Sequence, residues 1–563
     1  MGVHYMHERG RPKNRVLVIG LDGATLDLIE PWAQQGKLPN LARLMREGVT
    51  GELRSTIPPV TAPAWISLMT GKNPARHGVY HFRTFDLTRY DSFADDLVTS
   101  RQFAHETIFR IASDAGRRVA ALAVPMTYPP FPVNGVVLSG YPTPNLQSAY
   151  TYPPEMAERF ANINITSEFF RHSNPERIRS ATHMVRQLTD YCVDLMNEDQ
   201  YDLMMVVFTN TDMANHFFRK YVDPAYPTYS TEGAETYGNV LLEQYQLADE
   251  AVGRLVEQTG DDTTVFILSD HGSGVHATHY FHTNSWLNRM GWLEVKAGAS
   301  PRAATAVRTA LEYIRVRTPW ARDFVKRRFP DAVKRTITAG LQSTSAVDWS
   351  RTLAYRVPMF YFVEGIVINL VGRQPQGIVQ PGCEYEELRD HIIAELGKVT
   401  DPATGQPVLK QALKREEEYS GPFVEQAPDL ILFYDHDYAG GPNPIGPLIT
   451  PIEQYTLEKW SGLHRMNGTL IMWGNDVRPG VRIEGARIED PAPTLLYLLG
   501  LPVPKDMDGR VLSEALAPTL LSSRPIEYQD SLDRGTGGKQ AAYLDQDEEE
   551  QIREALRGFG YIE

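Results

Sequence analysis

Arg15-Val16-Leu17-Val18-Ile19-Gly20-Leu21, followed by Asp22-Gly23, is the stretch that decides the fold. It is an almost unbroken apolar run, β-branched at both valines and at Ile19. Such a run suits a strand buried on both faces of a parallel sheet. The acid at its carboxyl end stands where open α/β sheets bind ligands, although Asp-Gly also favours a plain turn. Similar runs recur at 118–124, 135–140, 201–209 (YDLMMVVFT) and 263–270 (TTVFILSD), and again at 353–373, 428–434 and 468–474. Helical spacings lie between them at 39–48, 103–115, 180–196, 238–259, 384–396 and 491–500. Strands alternating with helices predict an α/β protein: a three-layer α/β/α sandwich with a largely parallel central sheet.

The chain has 563 residues, 42% hydrophobic and 22% charged, which is ordinary globular composition. Its length fits two to four structural units, or one large domain with insertions. With 56 Lys+Arg against 70 Asp+Glu the net charge is −14. A general binder of nucleic acid or anionic membrane would be basic, so neither partner is expected. Cys192 and Cys383 are the only cysteines and form no disulfide framework or thiolate zinc motif. The residues before Arg15 lack the apolar core of a signal peptide, and no run of about 18 apolar residues occurs. The expectation is a cytoplasmic protein without a membrane span. We expect an N-terminal extension (1–14), a core in two parts (15–299 and 351–522), a basic helical insertion or cap (300–350), and a linker with an acidic docking helix (523–563).

The segment 57–71, IPPVTAPAWISLMTG, opens a helix. Thr61 is expected at or near its N-cap, with Pro63 just inside. The hydroxyl there is either a simple cap or a nucleophile at an anion-binding helix end, and the second role needs a base or a metal to activate it. Three other strand ends and one loop offer that equipment. Asp22 follows the first strand. Asp212 and His216, four apart, share one face of a helical turn. Asp270 and His271 end an apolar strand, where burial costs free energy unless they are paired or metal-bound. His464 is expected in a loop. Around the loop 71–82, Lys72, Arg76, His77 and His81 are candidates to face an anion. His276, His279 and His282 follow further on, with no diagnostic spacing.

In order, VIGLDGA (18–24), PPVTAPAWISLMTGKNPARHGV (58–79), TDMANH (211–216), SDHG (269–272), GLHRMNG (462–468) and DPAPTLLYLLGLPVPKDMDGR (490–510) resemble the alkaline phosphatase superfamily. The branch they resemble is the type I phosphodiesterase/nucleotide pyrophosphatase-like group. The resemblance implies an alkaline phosphatase-like fold and a two-metal site. One ion would be held by Asp212, His216 and His464, the other by Asp22, Asp270, His271 and the Thr61 oxygen. Carboxylate and imidazole ligands without thiolate suit Zn2+, with Mn2+ as the competitor. The resemblance further implies hydrolysis of a small-molecule phosphoester, a diester first. Thr61 would be the metal-activated nucleophile, acting through a phospho-threonine intermediate. Phosphomonoesters or phosphonates are the alternative substrates, and a non-catalytic metal-binding protein is the competing class. Lys72, Arg76, His77 and His282 are the expected substrate contacts. Thr61-Ala62-Pro63-Ala64-Trp65 lacks the Cys or Ser and the Arg of a sulfatase site, and Val79–Phe82 lacks the Asn that nucleotide pyrophosphatases carry after their His-Gly.

Overall fold

A computed structural model of the chain describes residues 14–163, 173–296, 346–531, 544–558 and 560–562. The helical insertion expected at 300–350 lies outside the described residues up to position 345. The chain forms two compact units. The first contains residues 1–84, 96–275 and 458–563; the second contains 85–95 and 276–457.

The first unit is built on a nine-stranded sheet. Its strands are β1 (Arg15–Leu21), β2 (Val49–Arg54), β3 (Val119–Val124), β4 (Gly135–Ser139), β5 (Thr151–Tyr152), β6 (Leu203–Phe208) and β7 (Thr263–Leu268). After the two strands of a small ribbon, β8 (Gly272–Val275) and β9 (Gly462–Arg465), come β10 (Asn467–Trp473) and β11 (Val481–Arg487). The order across the sheet is β11-β2-β10-β7-β1-β6-β3-β4-β5. β1 runs parallel to both neighbours, pairing Val18 with Met205 on β6 and with Phe266 on β7. The sheet is therefore largely parallel at its centre. β10 runs antiparallel to β2 and β7, and β5 antiparallel to β4.

Side chains of the central strands alternate between two helical layers. Leu17, Ile19 and Leu21, with Met204, Val206 and Phe208, enter one cluster with the helices Leu26–Gln34, Pro39–Glu47, Asn174–Glu198, Asn210–Phe218 and Val240–Val256. Each such fully buried side chain contributes about 1.5–3 kcal/mol. Gly20 faces the other layer, where a Cβ would come within 2.6 Å of the Trp65 ring. A glycine is needed there for the helix Thr61–Thr70 to lie against β1. This layering makes the fold the expected α/β/α sandwich of the alkaline phosphatase type. Among the described residues no helix is long and apolar enough to cross a membrane.

In the second unit an antiparallel four-stranded sheet runs in the order Ala354–Phe360, Val363–Ile368, Leu430–Tyr434, Leu409–Lys414. Just before the strand Leu430–Tyr434, Asp429 is fully buried. It accepts hydrogen bonds from Arg373 Nη1 (2.8 Å), Arg415 Nη1 (3.2 Å), Tyr385 Oη (2.7 Å) and the Ile368 N–H (2.7 Å).

Candidate active site

The carboxyl ends of β1, β6 and β7 converge beside one another, and each delivers acidic or imidazole groups. Asp22 follows β1 directly. The backbone then turns at Gly23, where φ is +65°. A Cβ at Gly23 would lie 2.7 Å from Asp212 Oδ1. The turn and this close approach both require glycine. β6 runs into the helix Asn210–Phe218, which places Asp212 in its first turn and His216 one turn later. Asp270 and His271 stand between β7 and the ribbon strand β8, and His464, expected in a loop, lies instead on β9, because its backbone pairs opposite Ser273. All six side chains are buried, with relative exposures from 0 to 9%.

The donor atoms face inward in two sets. Ligand atoms of Asp22, Asp270 and His271 lie within 4.8 Å of one another, as do those of Asp212, His271 and His464. His216 joins the second set through its Nε2, 3.3 Å from Asp212 Oδ1 and 3.1 Å from His464 Nε2. The His271 and His464 rings stack with centroids 3.5 Å apart. Each imidazole is oriented from behind by a backbone carbonyl. His216 Nδ1 donates to Gly462 O (2.8 Å), His464 Nδ1 to Pro59 O (2.8 Å), and His271 Nδ1 to Gly272 O (3.0 Å). A carbonyl can only accept, so each Nδ1 carries the hydrogen and each Nε2 offers its lone pair to the centre. Two such lone pairs 3.1 Å apart, on His216 and His464, repel unless a cation lies between them.

Burial, then the charges of Asp270 and Asp212, raise Asp22 well above the usual carboxylate range. Burial also raises Asp270, against the lowering effect of His271. Burial works in the same direction on Asp212, but His216, His464 and His271 together hold it below that range. His464 is driven well below the ordinary imidazole value by burial, then by His271. Asp22 Oδ1, Asp212 Oδ1, Asp270 Oδ2 and His271 Nε2 are buried without a hydrogen-bond partner. Four orphaned ligand atoms spread over these two sets fit cation sites, and oxygen plus nitrogen without sulfur is the donor set of a hard or borderline divalent ion.

Thr61 is the first residue of the helix Thr61–Thr70, and Val60 holds the cap position. Thr61 is thus next to the cap, within the expected placement at or near it. Pro63 falls within the first turn, where an N–H has no intrahelical partner to lose. The Thr61 hydroxyl makes no cap bond and lies 3.2 Å from Tyr561 Oη. One turn further, Trp65 Nε1 donates to Asp22 Oδ2 at 3.4 Å.

Each expected substrate contact has partners of its own. Lys72 Nζ is tied to Asp506 (2.6 Å) and Glu106 (3.2 Å), and Arg76 Nε to Asp508 (3.0 Å). His77 is buried against Ser67 Oγ at 2.9 Å. Burial, then the neighbouring Lys72, pushes it down to about 3; burial, then Arg83, does the same to His81. Both are neutral near pH 7 and so carry no charge to offer an anion. His282 belongs to the second unit, where it bonds Thr450 Oγ1 (2.9 Å) and the Asn443 N–H (3.2 Å). Sequence reasoning missed Tyr561 beside Thr61, and no motif or spacing in the tail signals it.

Residues 16–339 match the family described as type I phosphodiesterase/nucleotide pyrophosphatase. The chain belongs to this family. It is a hydrolase of phosphoester bonds, within the alkaline phosphatase superfamily, whose enzymes use divalent metal ions. Among solved structures it is similar to phosphonoacetate hydrolase from Sinorhizobium meliloti 1021, at 14% identity and a TM-score of 0.49, covering 87% of this chain and 96% of that one. It is also similar to human ectonucleotide pyrophosphatase/phosphodiesterase 5, at 13% identity and a TM-score of 0.44, covering 89% of this chain and 99% of that one. No curated protein matches the chain.

Proposed function

We propose that the chain is a phosphodiesterase of small molecules that uses Thr61 as nucleophile beside two divalent cations. The observation that carries this reading is the set of orphaned, inward-facing donor atoms on Asp22, Asp212, Asp270 and His271, next to a helix that begins at Thr61. Asp22, Asp270 and His271, with the Thr61 oxygen, are the ligands of one ion; Asp212, His216 and His464 are those of the other. Zn2+ suits this donor set, and Mn2+ competes for it. Bound there, the cations supply Lewis-acid charge that lowers the Thr61 hydroxyl pKa and neutralises the phosphoryl oxygens.

The chain's own groups do the rest. The start of the helix Thr61–Thr70 presents backbone N–H groups and the positive end of its dipole to the phosphoryl group. Thr61 Oγ loses its proton to solvent and bonds to phosphorus while the ester oxygen leaves and takes a proton from water. A second water then attacks phospho-Thr61, breaking the Oγ–P bond and restoring the hydroxyl. The net change is diester plus water to monoester plus alcohol. The carbonyls of Gly462, Pro59 and Gly272 keep the three imidazoles aimed throughout.

The test is turnover of bis-p-nitrophenyl phosphate, p-nitrophenyl phosphate and an aryl phosphonate monoester with Zn2+, Mn2+ or Mg2+, on the parent and on Thr61→Ala. The diester is turned over fastest, and Thr61→Ala is inactive on all three. A Thr61→Ala enzyme with parental kcat that EDTA still abolishes would show that the nucleophile is another group.

A further inference from the structure

Beyond the helix Gln546–Gly558 the chain turns back at Gly560, where φ is +77°. The Tyr561 N–H bonds to Leu556 O at 2.9 Å and the Gly560 N–H to Arg557 O at 3.1 Å, closing the end of the helix. The helix is anchored on the first unit by buried Ile552, Ala555 and Leu556. Two further bonds pin it, from Tyr128 Oη to Glu548 (2.8 Å) and from Asn145 Nδ2 to Gln551 (2.7 Å). The turn aims Tyr561 inward. Its ring packs on Phe82 with centroids 4.7 Å apart, and Tyr561 is only 8% exposed. Its Oη lies 3.2 Å from Thr61 Oγ1 and 3.5 Å from His464 Nε2.

We propose that Tyr561 is a catalytic residue, the neutral hydrogen-bond donor that holds Thr61 Oγ for attack and then bonds the phosphoryl oxygen on which charge develops. This rests on the reading of Thr61 as nucleophile. The phenol oxygen is brought to Thr61 from a position 500 residues away in the chain. Lys72 and Arg76, the cations expected to face the phosphate, are tied to acids elsewhere, so a neutral donor is the complement the structure places at the nucleophile. A donor already aimed before reaction needs no reorganisation as the charge forms.

The experiment compares full-length, metal-loaded parent, Tyr561→Phe and Thr61→Ala. Phenylalanine keeps the ring on Phe82 and removes only the hydroxyl. We expect kcat of Tyr561→Phe to fall about 100-fold, the size of losing one preorganised donor, with KM unchanged. Vanadate, which mimics five-coordinate phosphorus, should bind more weakly by a comparable factor, while metal content equals the parent's. A merely structural phenol would leave the kcat and vanadate readouts unmoved. Parental kcat in Tyr561→Phe beside an inactive Thr61→Ala overturns the Tyr561 role alone. Faster turnover in Tyr561→Phe does so too, since it would make the hydroxyl an obstruction. Activity surviving in Thr61→Ala instead overturns the nucleophile reading beneath it.

Discussion

Thr61 has no side-chain role in capping its helix, so its substitution separates chemistry from stability. Thr61→Ala is expected to lower kcat roughly 10⁴-fold or more, the scale of deleting a nucleophile, with the fold retained as read by circular dichroism. Thr61→Ser, which keeps a hydroxyl, should retain turnover. Gly23 makes the opposite case. A methyl group there would meet Asp212 Oδ1 at 2.7 Å on a backbone at φ +65°, so Gly23→Ala should release bound metal, read by elemental analysis of the dialysed protein. Single residues of the candidate site were legible where charge contradicts burial: an Asp or Asp-His at the tip of an apolar strand is conspicuous because it is costly. The supporting carbonyls of Pro59, Gly272 and Gly462 were not legible, because every residue has a carbonyl and only the fold selects one. Tyr561 was hidden for a related reason. Nothing local distinguishes a tyrosine that packs 500 positions away on Thr61 from one that caps a tail.

Strands were read best. β1 coincides with the apolar run 15–21, because a strand buried on both faces writes its limits as the limits of hydrophobicity. Helix starts were read less well. The helix Asn174–Glu198 begins before the apolar spacing does, since its first turn is polar and is set by a capping box between Ser173 and Glu176. The expected helix over 103–115 is two pieces, because the Thr107 side chain caps a new start at Ile108. In the second unit the strand Leu430–Tyr434 is entered through Asp429, whose pair of arginines makes a further test. Burial alone would raise this carboxyl, but Arg373 and then Arg415 hold it below the usual range. A depressed folded value contributes stability that is complete above the unfolded pKa of about 3.9 and is lost as pH falls through the folded one. Stability should therefore decline in acid below about pH 4. Asp429→Asn should remove that acid-sensitive component and cost about 3–5 kcal/mol at neutral pH by taking the carboxylate from the buried Arg373 guanidinium, measured by urea unfolding.

Across the whole chain, the alternating pattern disclosed the α/β/α class, while the antiparallel β10 and the division into two units depend on long-range pairing that no local pattern encodes. The seven candidate residues Asp22, Thr61, Asp212, His216, Asp270, His271 and His464 come from five stretches of sequence, yet all fall in the first unit. Three buried carboxylates and three imidazoles packed together should be stabilised by cations. Removing the metals with EDTA should lower the melting temperature by several degrees, since ligand at 100 times its Kd contributes about 2.7 kcal/mol. Readdition of Zn2+ or Mn2+ should restore it. The central claim, that Thr61 attacks phosphorus, is tested most directly by acid-quenching the metal-loaded enzyme during turnover of a diester and mapping phosphate by mass spectrometry. Phosphorylated Thr61 is expected in the quenched parent and absent from Thr61→Ala. Steady turnover with rapidly quenched Thr61 never modified, or the adduct on another side chain, would contradict it.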